Sequence, residues 1–212
     1  MGHSSIARDG LEEIGVRAFA LCALVRIDIP PSVRAIKDFA FDGCSVLMAA
    51  ILNDGLEEIG EGEFYGCALV QIDIPPSVSA IKEGAFCNCS GLTTAILNDG
   101  LEEIGWGAFK GCALVQIDIP PFIRAIKSYA FEGCSGLTTT TLNDGLEVIG
   151  TGAFNGCALE RIDIPPSVRE IDAAAFEECS NLTTVQFCDE IKEFVSGCRC
   201  GIGGITGFRR GA

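Results

Sequence analysis

Histidine is almost missing from this chain. His3 is the one histidine among 212 residues, and it stands at the start of the sequence, outside any pattern. Nucleophilic and general acid–base mechanisms that run through an imidazole are excluded on that ground. Basic charge is also short: Lys plus Arg number 15 against 29 Asp plus Glu, for a formal net charge of −14. Phosphate backbones and anionic membrane surfaces need a basic patch, so neither nucleic acid nor a lipid surface is expected as a partner. Long apolar runs are lacking too, since none approaches the roughly 18 residues of a spanning helix. The opening Met1-Gly2-His3-Ser4-Ser5-Ile6-Ala7-Arg8-Asp9 has no hydrophobic region of a secretory signal. Ile6 also stands where a myristoylation pattern wants Ser or Thr. At face value the chain reads as soluble and cytoplasmic; a surface protein cropped at its N-terminus would read the same way and lie outside the cell.

What the chain has is repetition. The segment Asp54-Gly55-Leu56-Glu57-Glu58-Ile59-Gly60 returns at residues 99–105 and, with Val148 for the second Glu, at 144–150; an earlier copy occupies 9–15. All eight prolines share one phase, as Pro30-Pro31, Pro75-Pro76, Pro120-Pro121 and Pro165-Pro166. A repeat this regular cannot bury its apolar face alone and must stack on its neighbours.

The cysteines divide the period. Cys22, Cys44, Cys67, Cys89, Cys112, Cys134, Cys157 and Cys179 are spaced alternately by 22 and 23 residues. Three residues before each stands a phenylalanine: Phe19, Phe41, Phe64, Phe86, Phe109, Phe131, Phe154 and Phe176. After each Cys the apolar residues end in a spacing of two, as in Leu69, Ile72 and Ile74, which predicts a short strand. The Ala-Phe-x-x-Cys stretch spaces them by three, which predicts one helical turn. Pro-Pro and Asn-Asp-Gly are expected to end strands and turn the chain.

This pattern, Leu-x-x-Ile-x-x-x-Ala-Phe-x-x-Cys-x-x-Leu-x-x-Ile, resembles the leucine-rich repeat family in its BspA-like (Treponema-type) subtype. One departure recurs: the odd units read Cys-Ala-Leu, one residue short, and this produces the 22/23 alternation. The resemblance implies an α/β solenoid, a right-handed superhelix with a parallel β-sheet on one face and short helical or irregular turns on the other. It implies binding or adhesion rather than chemistry. The expected layout is an incomplete coil over 1–8, eight half-units over 9–188, and a C-terminal tail over 189–212. In that tail residues 189–195 can form a short amphipathic helix stopped by Gly197.

No active site emerges. Gly-x-Gly-x-x-x-Gly occurs three times in phase with the coil, at Gly60, Gly105 and Gly150, and so reflects repeat geometry rather than a nucleotide loop. Neither a cofactor nor a metal is expected, and the chain does not read as an enzyme. Eight cysteines form one column and are read as reduced, buried small hydrophobes. Cys87 falls where other units carry polar residues and is expected to be exposed. Cys188, Cys198 and Cys200 cluster near the end without the fourth ligand a zinc site uses, which leaves free thiols or a local disulfide.

The chain reads as a non-catalytic protein-interaction module; the alternatives are a cell-surface adhesin of the same fold or an orphaned repeat fragment without a selected partner. Two surfaces are candidates for an unidentified protein partner. Along the strands, the positions flanking the middle apolar residue face outward: Arg26/Asp28, Ala49/Ile51, Gln71/Asp73, Thr94/Ile96, Gln116/Asp118, Thr139/Thr141, Arg161/Asp163 and Thr184/Gln186. Four Asp therefore recur on alternate strands, about 10 Å apart. The second candidate is a convex patch of residues that break the repeat: Trp106, Phe122 and Tyr129, with Phe39 in the column of Tyr129. A column of alternating charge, Glu12, Arg34, Glu57, Ser79, Glu102, Arg124, Glu147 and Arg169, is read as register control between coils. Oligomeric state is not legible.

Overall fold

A computed structural model describes residues 10–187. The incomplete N-terminal coil over 1–8, the 189–195 helix, and Cys188, Cys198 and Cys200 lie outside the described residues. Within them the chain winds through a parallel β-solenoid of eight coils, each with a long strand and a short one.

The short strands are β1 (Glu13–Ile14), β3 (Ala35–Ile36), β5 (Glu58–Ile59), β7 (Ala80–Ile81), β9 (Glu103–Ile104), β11 (Ala125–Ile126), β13 (Val148–Ile149) and β15 (Glu170–Ile171). The long strands are β2 (Arg26–Asp28), β4 (Ala49–Ile51), β6 (Gln71–Asp73), β8 (Thr94–Ile96), β10 (Gln116–Asp118), β12 (Thr139–Thr141), β14 (Arg161–Ile164) and β16 (Thr184–Phe187). Pairing is parallel, and equivalent positions of successive coils stack: Gln71 opposes Thr94, Asp73 opposes Ile96, and Ile81 opposes Ile104.

The predicted helical turn is not a helix, and no helix occurs among the described residues. Two positions in every coil hold positive φ, two residues before Phe and one before Cys. In the fifth coil they are Gly107 (57°) and Gly111 (70°), and in the second Phe39 (59°) and Gly43 (66°). A left-handed residue at every fourth position interrupts α-helical progression. Alternate amides then turn outward and form a third ladder between coils. Phe41 N donates to Glu63 O at 2.9 Å, and Gly43 N to Tyr65 O at 2.7 Å. An apolar spacing of three suits this turn as well as a helix, which is why periodicity alone misassigned it.

Inside the coil, Phe41, Phe64, Phe86, Phe109, Phe131 and Phe154 are fully buried. From Phe19 to Phe176 the rings stack near-parallel with centroids 5.2 to 5.6 Å apart. This offset stacking adds a favourable aromatic contact to the area that each ring buries.

The cysteine column has a role beyond filling space. Each thiol donates to the carbonyl of the phenylalanine one coil back: Cys89 Sγ to Phe64 O at 3.0 Å, and Cys112 Sγ to Phe86 O at 3.1 Å. The bond repeats without a gap from Cys44 to Cys179. The nine cysteines among the described residues are unpaired.

Cys87 corrects its expectation. It is 7% exposed. The Lys110–Glu132 ion pair of the next two coils, at 2.6 Å, stands beside its short side chain.

The asparagines of the Asn-Asp-Gly turns do more than turn the chain. Asn98 Nδ2 donates to Pro75 O and Val78 O of the previous coil, while its Oδ1 accepts from Gly100 N. Asn53 and Asn143 make the same three bonds. This pins three of the strand exits to the preceding Pro-Pro turns, whose Pro30, Pro75 and Pro120 carbonyls accept both a turn amide and an asparagine side chain.

Candidate functional site

The long strands present their flanking side chains to solvent. Arg26, Asp28, Gln71, Asp73, Thr94, Ile96, Gln116, Asp118, Arg161 and Asp163 are all exposed. The period of two that sends Ile72 and Ile117 into the core sends their neighbours outward.

The four aspartates are not equivalent. Asp28 is bound by Arg26 at 2.9 Å and Asp163 by Arg161 at 2.8 Å, two residues earlier on the same strand. Arg161 also donates to Gln186 Oε1 at 2.7 Å. These outer pairs are self-neutralised. Asp73 and Asp118 instead accept from the neutral amides of Gln71 and Gln116, at 2.9 Å and 3.3 Å. Neither has an ion-pair partner among the described residues. The middle of the face thus keeps two uncompensated carboxylates, oriented by amides.

Between them runs β8, whose Ile96 is 53% exposed. The long-strand sheet is interrupted here. β2, β4, β6 and β8 form one sheet, while β10 pairs only with β12, and β14 only with β16. Between β8 and β10 lies a shallow groove of about 390 Å³ lined by Thr94, Ile96, Leu97, Val115, Gln116 and Asp118. Val115 N donates to Thr93 O across this step at 3.3 Å, as Val70 N does to Met48 O at the β4–β6 step. The step into β10 is one where the approach is a residue shorter, as Cys112-Ala113-Leu114.

The convex candidates divide. Trp106 and Tyr129 meet edge-to-face, with centroids 5.5 Å apart. Lys110 Nζ lies 5.6 Å from the centre of the Tyr129 ring. Tyr129 is half-buried against the following coil, and a Cβ on Gly152 would stand 2.7 Å from its ring. Phe39 covers Gly62 in the same way. Phe122 lies elsewhere, on the turn leading out of β10, and is 60% exposed. The three predicted residues therefore do not form one patch. Phe122 stands where Ser32 and Ser77 donate to Leu11 O and Leu56 O, so it replaces a structural hydrogen bond with an exposed ring.

The alternating charge column pairs differently from its expectation. Arg124 and Glu147 meet at 3.7 Å, but other bridges use the adjacent glutamates of the short strands. Lys37 binds Glu13 at 3.2 Å, and Lys82 reaches both Glu58 and Glu103, at 3.5 and 3.7 Å. The reason is reach: Lys follows the short strand and lies beside the strand glutamates of neighbouring coils.

Among the described residues no group of three or more His, Cys, Asp or Glu side chains is placed to hold a metal, and no helix is long and apolar enough to cross a membrane. Among the described residues the one fully buried carboxylate is Glu63, which belongs to the core rather than to either surface.

Comparison with curated protein sequences gives no match. Among solved structures, a leucine rich cell surface protein from Faecalibacterium prausnitzii is 32% identical, with a TM-score of 0.71, over 77% of this chain and 48% of that one. A leucine-rich repeat protein of T. pallidum is 32% identical, with a TM-score of 0.64, over 81% of this chain and 72% of that one. A leucine-rich repeat protein from Bacteroides ovatus is 27% identical, with a TM-score of 0.56, over 82% of this chain and 58% of that one. The chain thus spans about half the length of the F. prausnitzii and B. ovatus proteins. The profile of the BspA type leucine rich repeat region matches residues 12–135 and 102–206. Coils, phase and profile agree, and the chain belongs to the BspA-type leucine-rich repeat family.

Proposed function

We propose that the chain is a non-catalytic protein-interaction module whose partner docks on the long-strand face, centred on β6, β8 and β10. One observation carries the reading: Asp73 and Asp118 are the two aspartates of that face without a cation, and they flank the exposed Ile96 at the groove. A basic partner segment with an apolar residue between two cationic ones fits that spacing, because opposite charge steers encounter and the desolvated apolar contact holds it. The nine unpaired thiols favour a reducing, cytoplasmic setting.

The test is a pull-down compared across variants. Replacing both Asp73 and Asp118 by Ala is expected to leave stability within about 0.5 kcal/mol, as for ordinary surface sites, and to weaken the specific partner at least tenfold. Retained binding in that variant, with loss in Trp106→Ala, would move the site to the Trp106–Tyr129 side, and loss in Phe122→Ala would move it to the turn after β10.

A second reading, a surface adhesin using the same face, is favoured by the description of the F. prausnitzii relative as a cell surface protein. Thiol counting after denaturation without reductant separates the two. Free thiols throughout support the cytoplasmic module, and oxidised ones the adhesin.

A further inference from the structure

Seven of the eight coils place alanine immediately before the core phenylalanine: Ala18, Ala40, Ala85, Ala108, Ala130, Ala153 and Ala175. The third coil places Glu63 there, and its side chain is 0% exposed. Its Oε2 accepts from Gly60 N at 2.9 Å, while Oε1 is buried with no hydrogen-bond partner. A carboxylate in that state carries a full desolvation cost against one satisfied oxygen.

The Gly60 amide is taken from an inter-coil ladder. At the same position in five other coils the amide donates to the isoleucine carbonyl one coil back: Lys37 to Ile14, Lys82 to Ile59, Gly105 to Ile81, Gly150 to Ile126 and Asp172 to Ile149, at 2.8 to 2.9 Å. The third coil turns its amide inward to Glu63 and lacks this bond. Lys127 of the sixth coil lacks it too, but that boundary keeps the Ile126–Ile104 strand pair, whereas the boundary at Glu63 has no short-strand pair. β5 to β15 form one continuous six-stranded sheet, whereas β1 and β3 stand apart as a pair. On the opposite side the boundary stays closed, since Ala49 still pairs with Gln71, and the Phe41 and Phe64 rings remain 5.4 Å apart. The boundary between coils two and three is thus paired on the long-strand side and unpaired between the short strands, where the Phe39, Phe41 and Gly43 amides of the following turn are what still cross it.

We propose that Glu63 makes this boundary a pH-sensitive hinge, at which coils one and two part from the rest of the solenoid on the short-strand side when the carboxyl ionises. The groups around it favour this. Asp38 of the second coil accepts from Glu61 N at 3.3 Å, and Glu58 stands on β5; both are acidic. The nearby cations are engaged, Lys37 by Glu13 and Lys82 by Glu58 and Glu103. Glu61 and Glu83 are exposed. Burial pushes the Glu63 carboxyl up to about 8, against the Gly60 hydrogen bond, and Asp38 and Glu58 push the same way. A carboxyl raised in the closed state favours closure most at low pH. That advantage is lost as pH rises from the ordinary carboxylate range toward 8, and is then flat.

The experiment is site-resolved amide hydrogen exchange on the full chain at pH 6 and pH 8, corrected for intrinsic rates. The reporters are the Phe39, Phe41 and Gly43 amides, which donate across this boundary; the Phe86 amide, donating to Ala108 O across a later one, is the control. One proton linked over two pH units gives an opening constant rising on the order of 100-fold. The proposal expects that rise at the three reporters, none at Phe86, and its loss in Glu63→Ala, the residue that the other coils use. Glu63→Gln, which cannot ionise, is expected to lose it too. An unchanged wild type, an equal rise at Phe86, or a dependence that survives either substitution would overturn the hinge.

Discussion

At the residue scale, the conserved phase of Phe and Cys within this chain turns out to be one device. The ring fills the centre of the coil, and the carbonyl of that same phenylalanine receives the thiol of the next coil. Removing either member is felt by two coils. Phe109→Ala leaves a cavity between the Phe86 and Phe131 rings, so a loss of about 3–5 kcal/mol is expected in denaturant unfolding. Cys112→Ala removes less volume and one weak donor and is expected to cost about 1–2 kcal/mol. Equal losses from the two substitutions would show that the thiol bond, rather than the ring, sets the stacking. Burial also governs reactivity. Among the described cysteines only Cys22 and Cys179 are other than buried, so a thiol reagent added to native protein is expected to reach those two ahead of Cys87.

At the scale of the element, the coil could be read from the sequence in outline but not in detail. The strand positions were legible because a period of two sorts Ile72 and Ile117 from Gln71 and Gln116 without reference to any neighbour. The turn was not, because its stabilising bonds run to residues of the next coil, 22 or 23 positions away, where local spacing carries no signal. The Asn53, Asn98 and Asn143 bridges were hidden for the same reason: each side chain spans two coils. Cys87 failed because its column is polar elsewhere, while in the fold it is buried, with Lys110 and Glu132 of later coils as its charged neighbours. The uncompensated state of Asp73 and Asp118 was half visible, since Gln rather than Arg two residues earlier could have been noticed. The groove beside them had no sequence signal, since the shortened Cys-Ala-Leu before β10 also precedes β6, where the strands pair. Close coil contact also sets which glycines matter. A Cβ on Gly105 would lie 2.7 Å from Glu83 N and Lys82 C, which are backbone atoms that cannot swing aside. Gly105→Ala is therefore expected to cost more than about 2 kcal/mol in thermal or denaturant unfolding. A cost near that of an ordinary surface change would mean that adjacent coils slide more freely than the ladder indicates.

At the scale of the whole molecule, stability is a sum over coils and the interfaces between neighbours, so a column repeated in every coil multiplies a small effect. The thiols form such a column. Burial pushes Cys89 and Cys134 up to about 12 from an ordinary 9, with the backbone hydrogen bond from the previous coil opposing the shift. Cys67, Cys112 and Cys157 are raised further, again chiefly by burial and then by the neighbouring thiols. The sign follows from which state ionises first. Below about pH 9 the thiols are protonated in both states and contribute no pH dependence. Above it the unfolded chain releases protons that the solenoid retains, so stability falls as pH rises toward 12. Each thiol adds up to about 1.4 kcal/mol per pH unit. Five of them acting together make alkaline unfolding far steeper than one group could. The expected measurement is the slope of unfolding free energy between pH 9 and pH 10, followed by denaturant titration under reducing conditions. Cys89→Ala and Cys134→Ala should each lower that slope by about one proton, whatever they cost at neutral pH. A slope unchanged by both substitutions would mean that the thiols ionise as readily in the coil as in the unfolded chain, and that the column is wetter than its burial implies.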